Sequence, residues 1–599
     1  MRNMKKLFAM VLAIVMVMSL ATTAFAYDIT LEGTVTAPTD KHSYSVYQIF
    51  VGELAEDSQT LSNIKYGANY GTKDAEVPAS ELEAITDADT FARDIVSSKK
   101  LVGDPVGTLD SSNNWTITVN DPGYYLIVDD TSKEIADGDA YSAYIVQVVE
   151  DVKMNPKSEA PTLDKKITAD DNKISGDITE DGKFDNVSVG STVTYTLTGT
   201  IPARATDYDY YYYIINDTLS TGLTFNNDVK VTIDGKNAVK GTDYQLYVNE
   251  DGYTFQVALL GAKAHAGKSV VVTYTATLNE NAVIGEIDGN PNTADLDYSN
   301  NPNETYDGTQ DEDKPGKPDS EKNVPLGDTP DSTTRTYTTG IKLIKVDENG
   351  NSLTGAEFTI TGDNVVTVLV VESEAYEAVA EGETGVYWKL KDGTYTAEAP
   401  VVEAYYKEAA EGATAGWVNE GTDDEPNWVE YNAESEDHAQ KTVYIKVEAN
   451  SELYDSITTK YKKVIVYRTQ TEEGEVNGKA YVDKDGYLTF AGLGEGTYTI
   501  KETKTPDGYN TIKDITIEIK WEAPVEGSDD CSWSATASTA GDLTLNPEGV
   551  FELTIVNESG SVLPETGGMG TVIFYALGAV LVLAAVVLLV TKKRMSVAE

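Results

Sequence analysis

Apolar and polar residues alternate along most of this chain. The runs Tyr141–Val149, Ser191–Leu197 and Ser269–Ala276 repeat with a period near two, which turns every second side chain to one face of a strand. Asp-Gly or Asn-Gly pairs at 251–252, 349–350 and 485–486 fall between such runs, where tight hairpins need residues that tolerate positive φ. Away from the two ends no long stretch has a helical period, although the Ala- and Glu-rich segment from Glu374 to Glu411, interrupted by glycines, allows a short helix. The pattern predicts an all-β fold of three tandem immunoglobulin-like β-sandwich domains joined end to end.

The two ends follow different rules. Arg2, Lys5 and Lys6 precede an almost unbroken apolar run from Leu7 to Leu20, and Ala24-Phe25-Ala26 closes it with the small-x-small pattern of a signal peptide cut after Ala26. A first transmembrane helix is the alternative, and the short run and the cleavage pattern both count against it. At the other end Leu563-Pro564-Glu565-Thr566-Gly567 stands before an apolar stretch from Thr571 to Val590 and the basic Lys592-Lys593-Arg594. That stretch is long enough to cross a bilayer as a helix, and the basic tail would hold its C-terminus inside.

Composition excludes several functions. The 599 residues carry 46 Lys+Arg against 98 Asp+Glu, a formal net charge of −52. A body this acidic is no partner for nucleic acid or for an anionic membrane surface. One cysteine makes no internal disulfide, and three scattered histidines make no common zinc site, so neither metal nor cofactor is expected. An exported chain without disulfides needs another source of durability.

Shifts in composition divide the chain into a signal peptide (1–26), a first domain (27–158), a second (159–335), a third (336–560) and a C-terminal signal with its membrane helix and basic tail (561–599). The polar tract from Asn301 to Thr333 reads as a long surface excursion before a last strand. The third domain is long for one sandwich and is expected to carry an insertion between about 370 and 480.

Three strands of the third domain put polar residues on apolar faces. Ile341, Leu343 and Lys345 share one face, as do Tyr498, Ile500 and Glu502, and Phe551, Leu553, Ile555 and Asn557. Faces that meet in one core bring together an amine, a carboxyl and a carboxamide. Burial lowers the lysine pKa and raises that of the acid, so the two can coexist as neutral groups. The amine is then a nucleophile held against the carboxamide, and the acid stabilises the oxyanion and moves protons as ammonia leaves. The product is an isopeptide bond; an ordinary salt bridge, or surface residues, is the plainer reading of the same alternation. A looser set occurs in the second domain: Leu163, Lys165 and Ile167; Tyr213, Ile215, Asp217 and Leu219; Leu296, Tyr298 and Asn300.

The residues around these positions carry a resemblance. Ile341 to Phe358, the Glu502 segment through Pro506-Asp507-Gly508-Tyr509, and Asn557 resemble the first strand, E-box and closing strand of CnaB-type modules. The resemblance implies a Lys345–Asn557 bond assisted by Glu502. Asn216 to Leu223 and Asn292 to Asn300 resemble the second domain of fimbrial major subunits, where the acid is an aspartate. That implies a bond from Lys165 to Asn300 assisted by Asp217. Lys166 and Asn292 are rivals, because a register error of one residue would swap the lysines. The first domain opens on Tyr27 to Val35 without a lysine, and no crosslink is expected there.

LPETG before a helix and a basic tail resembles the cell-wall sorting signal of Gram-positive surface proteins. In that signal a sortase cysteine cleaves between the residues matching Thr566 and Gly567 and holds the threonine as a thioester. Pro156-Lys157, after Val148-Val149 and Val152, resembles the junction motif of backbone pilins of the SpaA type, although Asn155 stands where tyrosine is usual. The resemblance covers nearly the whole chain and is weakest from about 370 to 480. It implies a major pilus subunit, itself no enzyme, whose Thr566 is joined to Lys157 of a neighbouring copy. The partners it implies are a pilus-specific class C sortase, a housekeeping sortase, identical subunits, ancillary pilins and peptidoglycan.

Two other classes compete. A monomeric wall-anchored adhesin or ancillary pilin would make Lys157 dispensable. An enzyme or calcium site finds little support: Asp483-Lys484-Asp485-Gly486 lacks the full spacing of a calcium loop and reads as a hairpin tip. Cys531 follows Asp529 and Asp530, whose charges disfavour a thiolate.

Overall fold

The structure is a computed structural model that describes residues 26–32, 42–55, 59–131, 135–155, 159–171, 178–285, 287–303, 308, 310–319, 324–362, 364, 367–379, 387–409, 413–422, 426–435, 437–438, 441–469, 479–525, 527–560 and 569–595. The signal peptide up to Phe25, Lys157 and the whole LPETG motif lie outside the described residues.

The alternating runs fold as strands throughout. In the first module Leu61–Tyr66, Tyr44–Leu54, Gly123–Asp129 and Ala143–Val148 lie side by side in that order. A small sheet of Thr116–Val119, Tyr27–Leu31 and Val152–Met154 packs with them over Ile29, Val46, Tyr125, Ile127 and Val148. A helix, Ala88–Ser97, covers the opposite side, burying Ala92 and Ile95 against Ile49, Phe50 and Leu126. Asp87 caps it by accepting the Thr90 N–H at 2.8 Å. The sequence reading missed this helix because ten residues leave too short a run for a period to show.

The second module is a two-sheet sandwich. One sheet runs Phe184–Asn186, Ser332–Tyr337, Asn290–Tyr298, Tyr213–Leu219, Tyr253–Leu259, Tyr244–Glu250; the facing sheet contains Lys230–Ile233, Ser269–Leu278, Thr192–Thr200 and Leu163–Asp170. The tract after Asn300 leads to the strand Ser332–Tyr337, which pairs antiparallel with Asn290–Tyr298. Lys317 pins that tract to the sheet: its Nζ donates to Asp251 Oδ2 at 2.7 Å and to the Gln256 carboxamide, over the ring of Tyr247.

The third module is also a sandwich. Its first sheet runs Tyr461–Thr469, Leu369–Ala378, Tyr487–Leu493, Thr339–Asp347, Phe551–Asn557, Thr544–Leu545, and its second is built on Glu357–Gly362, Gly496–Lys504, Ile515–Glu522 and Ser532–Ala537. The described parts of the Glu374 to Glu411 segment, expected to allow a helix, are short strands joined by turns, with no helix among them. Leu369–Ala378 pairs along its length with Tyr461–Thr469, so a cross-strand partner overrides the weak helical preference of Ala and Glu. Beyond this ribbon, Tyr405–Glu408, Tyr444–Val447, Trp417–Asn419 and Trp428–Glu430 form a small sheet on which Tyr406 stacks against Trp428 at 3.9 Å.

Adjacent modules are in contact. Arg93 on the first module's helix meets Asp207 at 3.2 Å, and Tyr298 donates its hydroxyl to the Asp139 carbonyl at 2.6 Å. Between the second and third modules only Thr338 separates Ser332–Tyr337 from Thr339–Asp347. Arg335 pairs with Asp529 at 2.6 Å and the Trp533 indole donates to the Gly285 carbonyl at 3.3 Å.

Candidate functional site

Two clusters of amine, carboxylate and carboxamide lie inside the sandwiches, one in each of the second and third modules. In the second, alternation turns Lys165 inward between Leu163 and Ile167, and its side chain has no exposed surface. Its Nζ donates to both oxygens of Asp217 at 2.8 Å and to Oδ1 of Asn292. Asn292 Nδ2 donates to the Tyr274 hydroxyl at 2.7 Å, and that hydroxyl donates to the Asp217 carboxylate at 3.0 Å. The four groups close a ring inside the core, with the Nζ 5.5 Å from the ring centres of Tyr195 and Tyr274.

Burial sets the chemistry of this ring. It pulls the Lys165 amine down to about 8, against the opposing pull of Asp217. The same burial pushes the Asp217 carboxyl up to about 6, with Lys165 acting in the other direction. Transfer of one proton from Lys165 to Asp217, which gives a neutral amine and a neutral acid, is therefore less costly here than between the same groups in water. The amine lies against the Asn292 carboxamide, and the acid is one hydrogen bond away through either Lys165 or Tyr274.

The expected partner Asn300 is elsewhere. It lies beyond the end of the strand Asn290–Tyr298, where its carbonyl accepts the Tyr141 N–H at 2.8 Å at the junction with the first module. Asn292 and Asn300 have the same parity, so a face argument admits both. Register separates them: Leu219 pairs with Asn292 and Asp217 with Ala294, whereas Tyr213 pairs with Tyr298. Eight residues of extended chain put the two asparagines roughly 26 Å apart. Of the other rival, Lys166 is partly exposed and sits 3.6 Å from Asp164.

In the third module Thr339–Asp347 and Phe551–Asn557 run parallel, pairing Lys345 with Ile555 and Asp347 with Asn557. Lys345, Asn557 and Glu502 are all buried in this core. Glu502 Oε1 and Oε2 accept the Asn557 Nδ2 at 3.0 and 3.1 Å, and Oε2 also accepts the Ile512 N–H at 3.0 Å. The Asn510 carbonyl takes the second amide hydrogen at 3.0 Å. Among the described residues Lys345 Nζ has only long hydrogen bonds, to the Val346 and Ile555 carbonyls at 3.4 and 3.3 Å. Burial brings the Lys345 amine down to about 8, with the charge of Glu502 opposing. Among the described residues Asn557 Oδ1 has no hydrogen-bond partner.

Sequence reasoning overlooked Tyr274 and Asn510. Tyr274 alternates with Val270, Val272 and Ala276 on the buried face of its strand, and a hydroxyl on that face was the available signal. Asn510 contributes only its carbonyl, which side-chain patterns do not reveal.

Comparison with known proteins agrees in order and position. Residues 189–302 match a model of the Gram-positive pilin backbone subunit 2, Cna-B-like domain. Residues 443–529 match a SpaA domain of prealbumin-like fold, and 555–596 an LPXTG cell wall anchor motif. The trypsin-resistant surface T6 protein of Streptococcus pyogenes serotype M6 is 26% identical over 453 residues, covering 73% of this chain and 70% of its own. The T6 backbone pilin structure from the same organism aligns over 90% of this chain and 98% of its own, at 17% identity and a TM-score of 0.47. The major pilin SpaA of Corynebacterium diphtheriae aligns over 89% of this chain and all of its own (100%), at 13% identity and a TM-score of 0.39. An apolar helix suited to a bilayer, Phe574–Lys593, completes the anchor. In the content and order of its domains the chain is similar to Gram-positive backbone pilins: a pilin backbone domain, a SpaA domain and a C-terminal LPXTG cell wall anchor motif.

Proposed function

We propose that this pilin is polymerised by joining Thr566 of one copy to Lys157 of the next, and that each fibre subunit is stiffened by two internal bonds, Lys165–Asn292 and Lys345–Asn557. A class C pilus sortase cleaves Thr566–Gly567 and holds the threonine as a thioester. The Lys157 amine attacks that carbonyl, the C–S bond breaks, and the sortase thiol leaves with the amine's proton. A housekeeping sortase would then attach the fibre to peptidoglycan, with ancillary pilins as further partners.

The internal bonds follow a balanced route. The lysine Nζ attacks the carboxamide carbon and forms the C–N bond; the acid, Asp217 or Glu502, hydrogen-bonds the oxyanion and passes a proton to the amide nitrogen. The old C–N bond breaks and one ammonia leaves. A costly buried polar pair becomes a neutral amide.

The observation that carries the internal bonds is the buried ring of Lys165, Asp217, Tyr274 and Asn292, which sets an amine against a carboxamide with an acid beside both. Polymerisation is tested by Lys157→Arg in a strain carrying the pilus sortase. The wild type should give a ladder of high-mass species that survives boiling in detergent, and the variant only monomer. A ladder unchanged by Lys157→Arg would leave a wall-anchored protein linked elsewhere, and no ladder from either would leave a monomeric adhesin.

A further inference from the structure

Lys165 is held from outside the core as well as within it. Its strand, Leu163–Asp170, is the edge of its sheet and pairs with Thr192–Thr200 on one side only. On the other side the main-chain N–H and carbonyl of Lys165 are both taken by side chains. The N–H donates to Ser332 Oγ at 2.8 Å. The carbonyl accepts Lys183 Nζ at 2.6 Å, and the same Nζ donates to Ser332 Oγ at 3.0 Å.

Local sequence brings Lys183 to this edge. In the turn Thr179-Glu180-Asp181-Gly182, Asp181 Oδ1 accepts the Lys183 N–H at 3.0 Å and the Thr179 hydroxyl at 2.7 Å. Gly182 takes φ +72° and its carbonyl accepts the Ile167 N–H at 2.8 Å, so the turn lies along the lysine strand. A β-carbon at Gly182 would stand 2.9 Å from the Ile167 carbonyl oxygen. Half-exposed Asp164 accepts the Lys183 ammonium at 2.8 Å.

Ser332 belongs to the facing sheet. It lies opposite Ala294, on the strand Ser332–Tyr337 that also pairs Thr334 with Asn292. One hydroxyl therefore ties the backbone of the amine's residue to the ladder that carries the carboxamide. The charge of Lys183, fixed against the Lys165 backbone, adds to burial in pulling the Lys165 amine down.

We propose that Ser332 and Lys183 are positioning residues for the crosslink of the second module, Ser332 setting the reach of Lys165 to Asn292 and Lys183 disfavouring a second positive charge beside its own. The proposal rests on the Lys165–Asn292 bond proposed above. The titratable groups facing the Lys165 amine are Asp217, Tyr195 and Tyr274, with Asp185 acting on Tyr195 and Asp295 on Asp217. Lys183 and Asp164 lie along its backbone. Without the Lys183 charge the amine holds its proton more tightly. The ion pair with Asp217 then gains on the neutral pair, and loss of the amine's proton moves to higher pH.

Refolding of the exported chain, residues 27–566, from unlinked inclusion-body material tests this, with the 165–292 peptide pair followed over time and pH. Lys183→Met should lower the plateau rate about three- to ten-fold and carry the alkaline limb of the profile upward in pH. Lys183→Arg should restore most of the rate and return the limb. Ser332→Ala should lower the rate by a similar factor and leave the limb where it is. In every variant the 345–557 pair should form at the wild-type rate, which shows that the chain folds. Wild-type rates in both Lys183→Met and Ser332→Ala overturn the proposal and leave the bond standing. A slowed Lys183→Met with an unmoved limb overturns the role of its charge, and equal loss of both peptide pairs overturns a local role for either residue. A wild type without the 165–292 pair overturns the bond itself, and the positioning residues with it.

Discussion

Lys345 and Asn557 lie on adjacent parallel strands that are the first and last of their sandwich, Lys345 opposite Ile555 and Asn557 one pleat further along the same face. A bond between them spans nearly the whole module in sequence. Tension entering at the first strand would pass to the last through one side-chain amide, leaving every intervening strand unloaded. Such a crosslink also restricts the unfolded chain, and closing a loop this long contributes about 5 kcal/mol.

Glu502 holds the Asn557 amide, and removing its carboxyl should stop the reaction without removing the core. Glu502→Gln keeps the side chain's shape and loses the proton shuttle, an effect on the order of 10²–10⁴ in rate. The purified variant should lose one ammonia instead of two, lack the 345–557 linked peptide, and melt below the wild type. Full linkage in Glu502→Gln would show that the acid is dispensable.

The two candidate asparagines of the second module make opposite predictions. Asn292→Ala should abolish the internal bond of that module, while Asn300→Ala should leave it intact and also keep the main-chain carbonyl that accepts the Tyr141 N–H. Peptide mapping of the two variants decides between them.

Bond formation in the second module should depend on pH from both sides. The reaction needs one proton shared by Lys165 and Asp217. That state dominates between the raised acid, about 6, and the lowered amine, about 8. Rates measured on refolding should plateau in this window, fall below it as both groups are protonated, and fall above it as both lose their protons. Stability of the unlinked Asn292→Ala module should depend on pH in the opposite sense. Its amine is depressed, so the penalty appears as pH falls from the ordinary lysine range toward 8; its acid is raised, so a second penalty appears as pH rises toward 6. The unlinked module should therefore be least stable between those two values, in a thermal melt series across pH.

With both bonds formed, the chain from Asn292 to Lys345 stays in the path of tension. The ladder pairing Asn290–Ala294 with Ser332–Thr336, the pairing of Gly327–Asp328 with Asp297–Tyr298 and the Lys317 contacts keep residues 293–333 out of it. Pulling a single fibre should release this loop in one step of roughly 140 Å per subunit. Lys165→Ala should replace that step by a much longer one, because residues 166–291 are then also free to extend.

Much of this was legible beforehand, for identifiable reasons. Lys345, Glu502 and Asn557 each sit in an otherwise apolar alternating strand, so period two alone turned them inward. The same rule could not choose between Asn292 and Asn300, which share a parity; strand register decides that, and register depends on which residues of Tyr213–Leu219 lie opposite. The helix Ala88–Ser97 depends on tertiary packing of Ala92 and Ile95 more than on local pattern. The ribbon of Leu369–Ala378 depends on a partner strand some 90 positions away, beyond the reach of any local signal.

The most direct test of the account is the intact mass of the exported chain, residues 27–566, followed by mapping of linked tryptic peptides. Each isopeptide bond removes one ammonia, roughly 17 Da. The account predicts a deficit of about two ammonias, with one peptide pair joining Lys165 to Asn292 and another joining Lys345 to Asn557. An unshifted mass would contradict it and reduce both clusters to buried polar networks.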